Sequence, residues 1–262
     1  MRKYRRSAVA SSFSPTHYAV LCEALCCAKN LGIPLEVFHA APRSAESEMQ
    51  FAKSFEMLGE SLPVRWLNGA PTPAEDIFNG LREYEIDLFI AGARQHEPQA
   101  LFYPNSIGRR FLMESPCDVL LLPQPSVEPR PITSAVYMVE QGDEIAECGR
   151  ALAQELKLEE VMLLVAENPF AKAIALARGE KLHDAREWSK ATAAAIAGEG
   201  VETGSRVVSS NTGFSLMEAT RAIGPDLMVV WGDYRDGRIN LPAHLDWVRQ
   251  ILPTRFLLCS KK

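Results

Sequence analysis

Two segments in the first half of the chain carry residue types that could bind an anion. Four hydroxyls lie just before an apolar stretch with helical spacing, on Ser11, Ser12, Ser14 and Thr16. The second segment runs from Gly92 to a helix predicted to begin near Ser106. Hydroxyls and the first N–H groups of a helix favour negative charge, so both segments suit a phosphate. The alternative for the first segment is that Ser12 or Ser14 only caps the helix, which is the commoner role.

Other reactive residue types lack the spacing that chemistry requires. Cys22, Cys26 and Cys27 alternate with apolar residues and have no second Cys/His pair at zinc spacing, which favours buried thiols over a metal site. The five histidines are scattered, and His39 is expected to pack against a sheet. The sequence has no glycine-lysine-serine phosphate loop, nucleophile elbow or helical zinc motif. We therefore predict neither a catalytic residue nor a metal site.

Ten short apolar runs are the elements that must position these segments. The first half contains five of them: Ser7–Ser11, Pro34–Ala40, Pro63–Gly69, Asp87–Ala93 and Cys117–Pro123. The second half contains five more: Ser134–Glu140, Glu160–Glu167, Ser205–Asn211, Asp226–Asp233 and Thr254–Ser260. Short continuous apolar runs are typical of buried parallel strands.

Helical segments separate the runs in the same order in both halves. In the first half they are Thr16–Asn30, Ala45–Leu58, Pro73–Tyr84 and Ser106–Glu114. In the second half they are Asp143–Leu158, about Ala171–Ala197, Phe214–Ala222 and Ala243–Leu252. Strand alternating with helix, twice over, predicts two tandem α/β domains, each a doubly wound five-stranded parallel sheet. We expect the domains to span residues 1–126 and 131–262, joined by the proline-rich linker Pro123–Pro131.

The loop after the fourth run resembles the glycine motif of the universal stress protein family. That motif has a glycine, two residues, a second glycine, nine residues, then glycine and a hydroxyl residue. This sequence keeps the spacing with Gly92, Gln95, Asn105 and Ser106. The start of the chain, residues 9–14, is also similar to the family, which has an aspartate where Ser12 stands. The resemblance covers the first half and, more faintly, the second, and it implies an adenine nucleotide alpha hydrolase-like fold.

The resemblance implies an adenine nucleotide site in the first half, for ATP or AMP. By position in the family motifs, the cofactor-binding residues would be Ala10, Ser11, Ser12, Ala40, Gly92, Asn105, Ser106 and Ile107. The sequence departs from the family at three of the key positions, Ser12, Gln95 and Asn105. Gln95 adds a side chain where backbone should approach phosphate, and Ser12 is a weaker acceptor than an aspartate.

The second half is expected to bind no nucleotide. Gly232 is the predicted counterpart of Gly92, but the loop that follows Gly232 is shorter. Asp233 and Asp236 would repel a phosphate, and Pro242 lacks an N–H where a helix should start. Glu140 is the one acid near the position expected for a ribose.

Composition limits the remaining classes of function. The net charge of −5 (28 basic and 33 acidic residues) argues against nucleic acid as a partner, and no apolar run has membrane-spanning length. Six cysteines without a disulfide pattern favour the cytoplasm. The resemblance implies a stress-response regulatory or binding protein, not an enzyme. It also implies that the last strands of the two halves meet as in the family's dimer, here made by one chain, with further homodimerisation left open. Alternatives are a protein-interaction scaffold without nucleotide, a flavodoxin-like cofactor binder, or a slow ATP-hydrolysing or phosphoryl-transferring site.

Overall fold

The chain alternates strand and helix in the computed structural model, as the apolar runs predict. The structure describes residues 4–93, 106–142, 144–179, 184–198, 200–209, 214–235, 238–241 and 252–261. The predicted helix Ala243–Leu252 lies almost wholly outside these ranges, as do Gln95 and Asn105.

The first half forms five parallel strands in the order β3-β2-β1-β4-β5. Its strands are β1 (Ser7–Ala10), β2 (Leu35–His39), β3 (Val64–Trp66), β4 (Leu88–Gly92) and β5 (Asp118–Leu122). Its helices are α1 (His17–Leu31), α2 (Ala45–Leu58), α3 (Pro73–Glu83) and α4 (Ser106–Glu114). The predicted bounds of α2 and α4 are confirmed, and the strands are shorter than the apolar runs because turn residues flank them.

The second half repeats this order as β11-β9-β6-β7-β8 and adds one strand. Its strands are β6 (Ser134–Glu140), β7 (Glu160–Glu167), β8 (Glu202–Ser209), β9 (Leu227–Arg235), β10 (Arg238–Asn240) and β11 (Arg255–Lys261). Its helices are α5 (Ala146–Leu156), α6 (Pro169–Ala177), α7 (Ala185–Ile196) and α8 (Phe214–Ile223). The short strand β10 pairs antiparallel with the end of β9.

The two halves share one continuous sheet of eleven described strands. Strands β5 and β11 pair antiparallel, with Leu121 opposite Phe256 and Leu120 opposite Leu257. The predicted meeting of the last strands is therefore confirmed. All four leucine and phenylalanine side chains are buried, so the joint covers two apolar edges that would otherwise face water.

Helices cover both faces of the sheet, as right-handed crossovers between parallel strands require. One apolar core lies under α1, α2, α5 and α7 and contains Leu21, Phe51, Leu152 and Ile196. The other lies under α3, α4 and α8 and contains Phe78, Phe111 and Leu216. Each core crosses the joint between the halves, so the joint is part of the folded interior.

The structure differs from the predicted elements in the second half. The long segment predicted over about Ala171–Ala197 is two helices, α6 and α7. Gly179, with a left-handed φ of 72°, follows α6, and the Asp184 side chain caps α7 by accepting from the Arg186 N–H. Strand β10 was not predicted, because its three residues fall in a stretch rich in charge and glycine. No helix in the described ranges has the length and apolar character to cross a membrane.

Candidate functional site

Strands β1, β2 and β4 bring the predicted site residues to one edge of the sheet. Val9 of β1 pairs with Ile90 of β4, and Ala10 of β1 pairs with Phe38 of β2. From β1 the chain continues to β2, which lies on one side of β1 in the sheet. Strand β4 lies on the other side of β1, so the strand order reverses at this point. Ligands of open parallel sheets bind beyond the carboxyl ends of strands at such a reversal.

Five predicted binding residues lie together at this edge, which we call the first-half edge. They are Ala10, Ser11, Ser12, Ala40 and Gly92. Ser12 is exposed and Ser11 is buried, while the other three are half-buried. Ser106 and Ile107 begin α4, but their side chains are not described, and Asn105 lies outside the described residues. The backbone placement at the edge thus matches the family motif only in part.

Gly92 has a packing reason to be glycine. A Cβ atom on Gly92 would lie 2.7 Å from Cγ2 of Val20 on α1, which is closer than real Cβ contacts allow. The glycine therefore allows α1 to pack closely on β4, whether or not a phosphate approaches on the loop side.

The start of α1 has no side-chain cap. Its N-cap residue is Thr16, and no side chain accepts a hydrogen bond from the first turn. The expectation that Ser12 or Ser14 caps this helix is wrong, because the Ser14 hydroxyl instead lies 3.3 Å from the Thr16 hydroxyl. Phe13 has a left-handed φ of 49°, which turns the chain sharply between β1 and α1. The His17 N–H donates to the Ser14 carbonyl at 2.8 Å, so the first-turn donors left for an anion are the N–H groups of Tyr18 and Ala19.

A chain of side-chain hydrogen bonds runs from the first-half edge into α2. The Ser11 Oγ is 2.8 Å from His17 Nδ1, and His17 Nε2 is 3.2 Å from Ser54 Oγ. The Ser54 hydroxyl donates to the carbonyl of Gln50 at 2.9 Å. The sequence did not indicate this chain, because 37 residues separate His17 from Ser54 and nothing in their spacing marks a contact.

Aromatic rings surround the two histidines at this edge. The Phe13 ring centre lies 5.0 Å from that of His17 and 4.9 Å from that of His39. Phe51 and Trp66 pack edge-on against His39. The prediction that His39 packs against the sheet is confirmed, since it is buried, and its Nδ1 donates to the Ser11 carbonyl at 3.0 Å. Burial, and to a lesser degree His39, lowers the pKa of His17 to about 4, so the imidazole is neutral at pH 7.

The second half presents a different arrangement at the equivalent edge. Leu88 pairs with Ser7 and Leu227 pairs with Ala135, so β4 and β9 begin in the same register. Gly92 is the fourth residue after Leu88, and Trp231 is the fourth residue after Leu227. Trp231 in the second half therefore corresponds to Gly92 in the first. The comparison of Gly92 with Gly232 is therefore wrong by one residue.

Trp231 and β10 fill the second-half edge. Trp231 is 2% exposed and packs edge-on against Tyr137, with ring centres 4.8 Å apart. On the other face, a Cβ on Gly232 would lie 2.4 Å from Ile239 and 2.7 Å from the Asn240 carbonyl. Asp233 pairs with both β11 and β10, so β10 lies on the β6 side of β9, beyond the last paired residue of β6. The place where the strand order reverses is thus occupied by the protein itself.

A cavity of 480 Å³, which we call the seam pocket, lies where the two halves meet. Its lining includes Glu85, Asp118 and Ser260. The buried Asp118 carboxylate accepts from the Tyr4 hydroxyl at 2.9 Å and from the Ser260 N–H at 2.9 Å. Burial, and then the Asp118 charge, raise the pKa of Tyr4 well above its usual value. These bonds tie the segment before β1 to both central strands.

All six cysteines are free thiols. Cys22 and Cys27 are buried as predicted, whereas Cys26 is half-buried, so the prediction of buried thiols is wrong for that residue. Burial raises the pKa of Cys27 to about 12, which suppresses the thiolate that would bind a metal. Within the described ranges, no three His, Cys, Asp or Glu side chains are grouped to hold a metal ion.

Comparison with solved structures identifies the fold. A universal stress protein from Archaeoglobus fulgidus DSM 4304 superposes with a TM-score of 0.68 at 14% identity, covering 98% of both chains. A protein of unknown function from Pseudomonas aeruginosa PAO1 gives a TM-score of 0.67 at 14% identity, covering 98% of this chain and 92% of that one. A candidate universal stress protein from Pseudomonas aeruginosa UCBPP-PA14 gives 0.68 at 16% identity, covering 98% and 93%.

No family model matches the sequence, and no curated protein matches it. The chain therefore has the fold of universal stress proteins over nearly its whole length, at low sequence identity.

Proposed function

We propose that this chain is a stress-response regulatory protein of the cytoplasm that holds one adenine nucleotide, ATP or AMP, at the first-half edge. The proposal includes two tandem domains, residues 1–126 and 131–262, of which the second binds none. The fold shared with universal stress proteins supports it, although fold alone does not assign a ligand.

The groups present at the first-half edge fit such a ligand. The exposed Ser12 hydroxyl could hydrogen-bond a ribose, and the backbone at Ala40 could frame an adenine. The phosphates would lie toward Gly92 and the backbone at the start of α4. The uncapped start of α1 adds donors that favour an anion at the same edge.

One observation carries the proposal, namely the contrast between equivalent positions in the two halves. Gly92 leaves the end of β4 without a side chain, whereas Trp231 places a buried indole at the end of β9. Strand β10 then covers the neighbouring Gly232. To bind in the second half, a nucleotide would have to displace the packed Trp231 ring and the paired strand β10. We expect the free energy of nucleotide binding to be too small for that.

The proposal is tested by mass spectrometry of the small molecules that the purified chain releases on denaturation, followed by calorimetric titration with ATP and AMP. We expect about one equivalent per chain. Two equivalents would contradict the assignment of the second half, and none, with no binding on titration, would overturn the nucleotide proposal.

Variants of Ser12 sharpen the test. Ser12→Asp restores an ionised acceptor for a ribose hydroxyl, and a charged hydrogen bond of about 1.5–3 kcal/mol predicts binding about 10- to 100-fold tighter. Glu140→Gln changes the acid at the end of β6 and serves as the control, because we expect no nucleotide there. Equal affinities for all three proteins would place the ligand elsewhere.

The alternative function, a protein-interaction scaffold without nucleotide, is favoured by the surface of α6. Phe170, Ile174 and Leu176 of this helix are 67%, 53% and 59% exposed. Phe170 and Ile174 are four residues apart and share one face of the helix, whereas Leu176 lies on another face. Neighbouring exposed apolar side chains often mark interaction surfaces. A failed nucleotide titration would make this helix the first surface to investigate.

A further inference from the structure

The hydrogen-bond chain of Ser11, His17 and Ser54 has a defined direction. The Ser54 hydroxyl gives its proton to the Gln50 carbonyl, so its oxygen is left to accept from His17 Nε2–H. A neutral imidazole carries one proton, which this bond places on Nε2. His17 Nδ1 is then a lone-pair acceptor, 2.8 Å from the Ser11 Oγ. The geometry makes His17 the group that receives the proton of Ser11.

The surroundings keep His17 in the state that a general base requires. It is packed between Phe13, at the end of β1, and Phe51 on α2, and His39 on β2 faces the same cluster. Burial and His39 both oppose a positive charge on His17. The imidazole is therefore neutral across the physiological pH range, with its Nδ1 lone pair free of a proton, and its ring contacts those of Phe13 and Phe51.

The same turn supplies hydrogen-bond donors. His17 is the first residue of α1, and the first turn of that helix has no side-chain cap. The His17 N–H donates to the Ser14 carbonyl, which leaves the N–H groups of Tyr18 and Ala19 to stabilise a developing oxyanion. Ser11 is 8% exposed and directly precedes the exposed Ser12. Phe13, beside it, has a left-handed backbone that favours glycine, a strain of the kind found near functional residues.

We propose that Ser11 is a nucleophilic serine that accepts an acyl group from a small activated ester, with His17 as its general base and Ser54 as a positioning residue. The Ser11 oxygen attacks the ester carbonyl while its proton moves to His17 Nδ1. The bond to the leaving alcohol breaks, and His17 returns the proton to that alcohol. Water then repeats the step on the acyl-serine and releases a carboxylic acid.

This reaction goes beyond nucleotide binding and does not depend on it. Two bonds, from Ser11 to His17 and from His17 to Ser54, carry the inference, and neither involves Gly92 or α4. The nucleotide titration and the acylation assay are run on the same protein, so either proposal can fail alone.

The test is reaction of the full chain with p-nitrophenyl acetate, followed by release of p-nitrophenolate and by peptide mass spectrometry. We expect one acetyl group per chain, located on Ser11, and none on that peptide in Ser11→Ala. His17→Gln keeps a polar side chain without a base, and the loss of general-base catalysis predicts acylation about 100-fold slower or more. Ser126→Ala removes an exposed serine of the linker, outside the relay, and is the control that should react like the wild type.

The role of Ser54 has its own readout. With the wild type, the acylation rate should rise with pH to a plateau with a midpoint near 4, because protonation of His17 removes the base. In Ser54→Ala the imidazole loses its fixed orientation, so we expect a slower rate and a midpoint displaced from that of the wild type. Circular dichroism of each variant checks that the fold is kept.

Three results would overturn the proposal. They are an unmodified Ser11 in wild-type protein quenched with acid while p-nitrophenolate is still being released, acetylation spread over lysines and tyrosines, or an unchanged rate in a folded His17→Gln. Should that variant fail to fold, the wild-type profile decides, because a midpoint at 6.5 or no inflection would exclude the buried His17 as the base.

Discussion

At the scale of single residues, a residue just after each of α1, α2 and α3 adopts the left-handed backbone conformation, but only two of the three are glycine. Gly32 and Gly59 follow α1 and α2 with left-handed φ values of 64° and 70°. Glu85 has the equivalent place after α3, with a φ of 51°, and its N–H bonds the Arg82 carbonyl. A side chain in this conformation is strained, whereas glycine is not.

Replacing Glu85 with glycine should therefore stabilise the protein. Relief of the left-handed strain, less the added flexibility of the unfolded chain, predicts a gain of roughly 0.5–1 kcal/mol in the free energy of unfolding. Gly59→Ala is the opposite change at a position where a Cβ meets nothing within 4 Å, so it should lose a similar amount. Urea titration measures both, and equal midpoints for the two variants would contradict the explanation.

His17 should make stability depend on pH. Its pKa is about 4 in the folded chain and about 6.5 when unfolded, so the unfolded chain takes up the proton first as the pH falls. The contribution of neutral His17 to the free energy of unfolding is complete above pH 6.5 and is lost as the pH falls from 6.5 to 4. His17→Gln should flatten that part of the profile, measured as urea midpoints at pH 7, 5.5 and 4.5. A variant profile parallel to that of the wild type would show that His17 is not buried as a neutral group.

The residues of the first-half edge can be predicted from the sequence, but the hydrogen bonds that join Ser11, His17 and Ser54 cannot. Ser11 and Ser12 were identified because they directly follow an apolar run and precede a helix. The partnership of Ser11 with His17 and Ser54 depends on how α2 packs beside α1, which local spacing does not encode. The predicted match of Gly232 with Gly92 is wrong for a related reason. The register along β9 is set by its pairing with β6 and not by the nearest glycine, which makes Trp231 the counterpart of Gly92.

At the scale of elements, an aspartate before the fourth strand of each half fastens the chain entering the first strand. Asp87 accepts from the Arg5 N–H at 3.0 Å. Asp226 accepts at one oxygen from the N–H and hydroxyl groups of Thr133 and Ser134. Burial alone would raise the pKa of Asp226, but these hydrogen bonds outweigh it and lower the pKa. The repeat thus extends from strand order to single hydrogen bonds.

Removal of the Asp226 carboxylate should be costly. Asp226→Ala leaves two N–H groups and two hydroxyls without their acceptor, which predicts a loss of about 2 kcal/mol in the free energy of unfolding. Asp233→Ala is the control, because the Asp233 ion pair with Arg235 is exposed and should contribute less than about 1 kcal/mol. Thermal unfolding of the two variants compares them, and equal losses would rule out a special role for Asp226.

At the scale of the whole molecule, the two halves behave as one body because their cores and sheet are continuous. The β5–β11 ladder lies at the centre, and a buried ion pair between Arg255 and Glu23 joins β11 to α1. Tyr4 adds a bond from its N–H to Glu155 of α5. The repeated strand order and the meeting of the last strands could be predicted from sequence. The side-chain contacts of Arg255 with Glu23 and of Tyr4 with Glu155 could not, because they join residues more than 150 positions apart and have no counterpart within either half.

A charge in the central ladder should unfold both halves together. Leu257 is 3% exposed and faces Leu120 across the joint, so Leu257→Lys buries an unpaired charge and should lower the melting temperature strongly. We expect a single calorimetric transition in the wild type and in the variant. Val127→Lys, at a linker position 58% exposed, is the control and should melt like the wild type. Two separate transitions would show that the halves fold independently.

Because of the antiparallel joint, the carboxyl ends of the strands point in opposite directions in the two halves. Because β5 and β11 run in opposite directions, the strands of the first half end on the side where those of the second half begin. The first-half edge thus faces one way, and the edge closed by Trp231 and β10 faces the other. With the second-half edge closed, the nucleotide that we propose for the first-half edge would be exposed on one side of the sheet only. A partner that senses this nucleotide would then have to approach from that side.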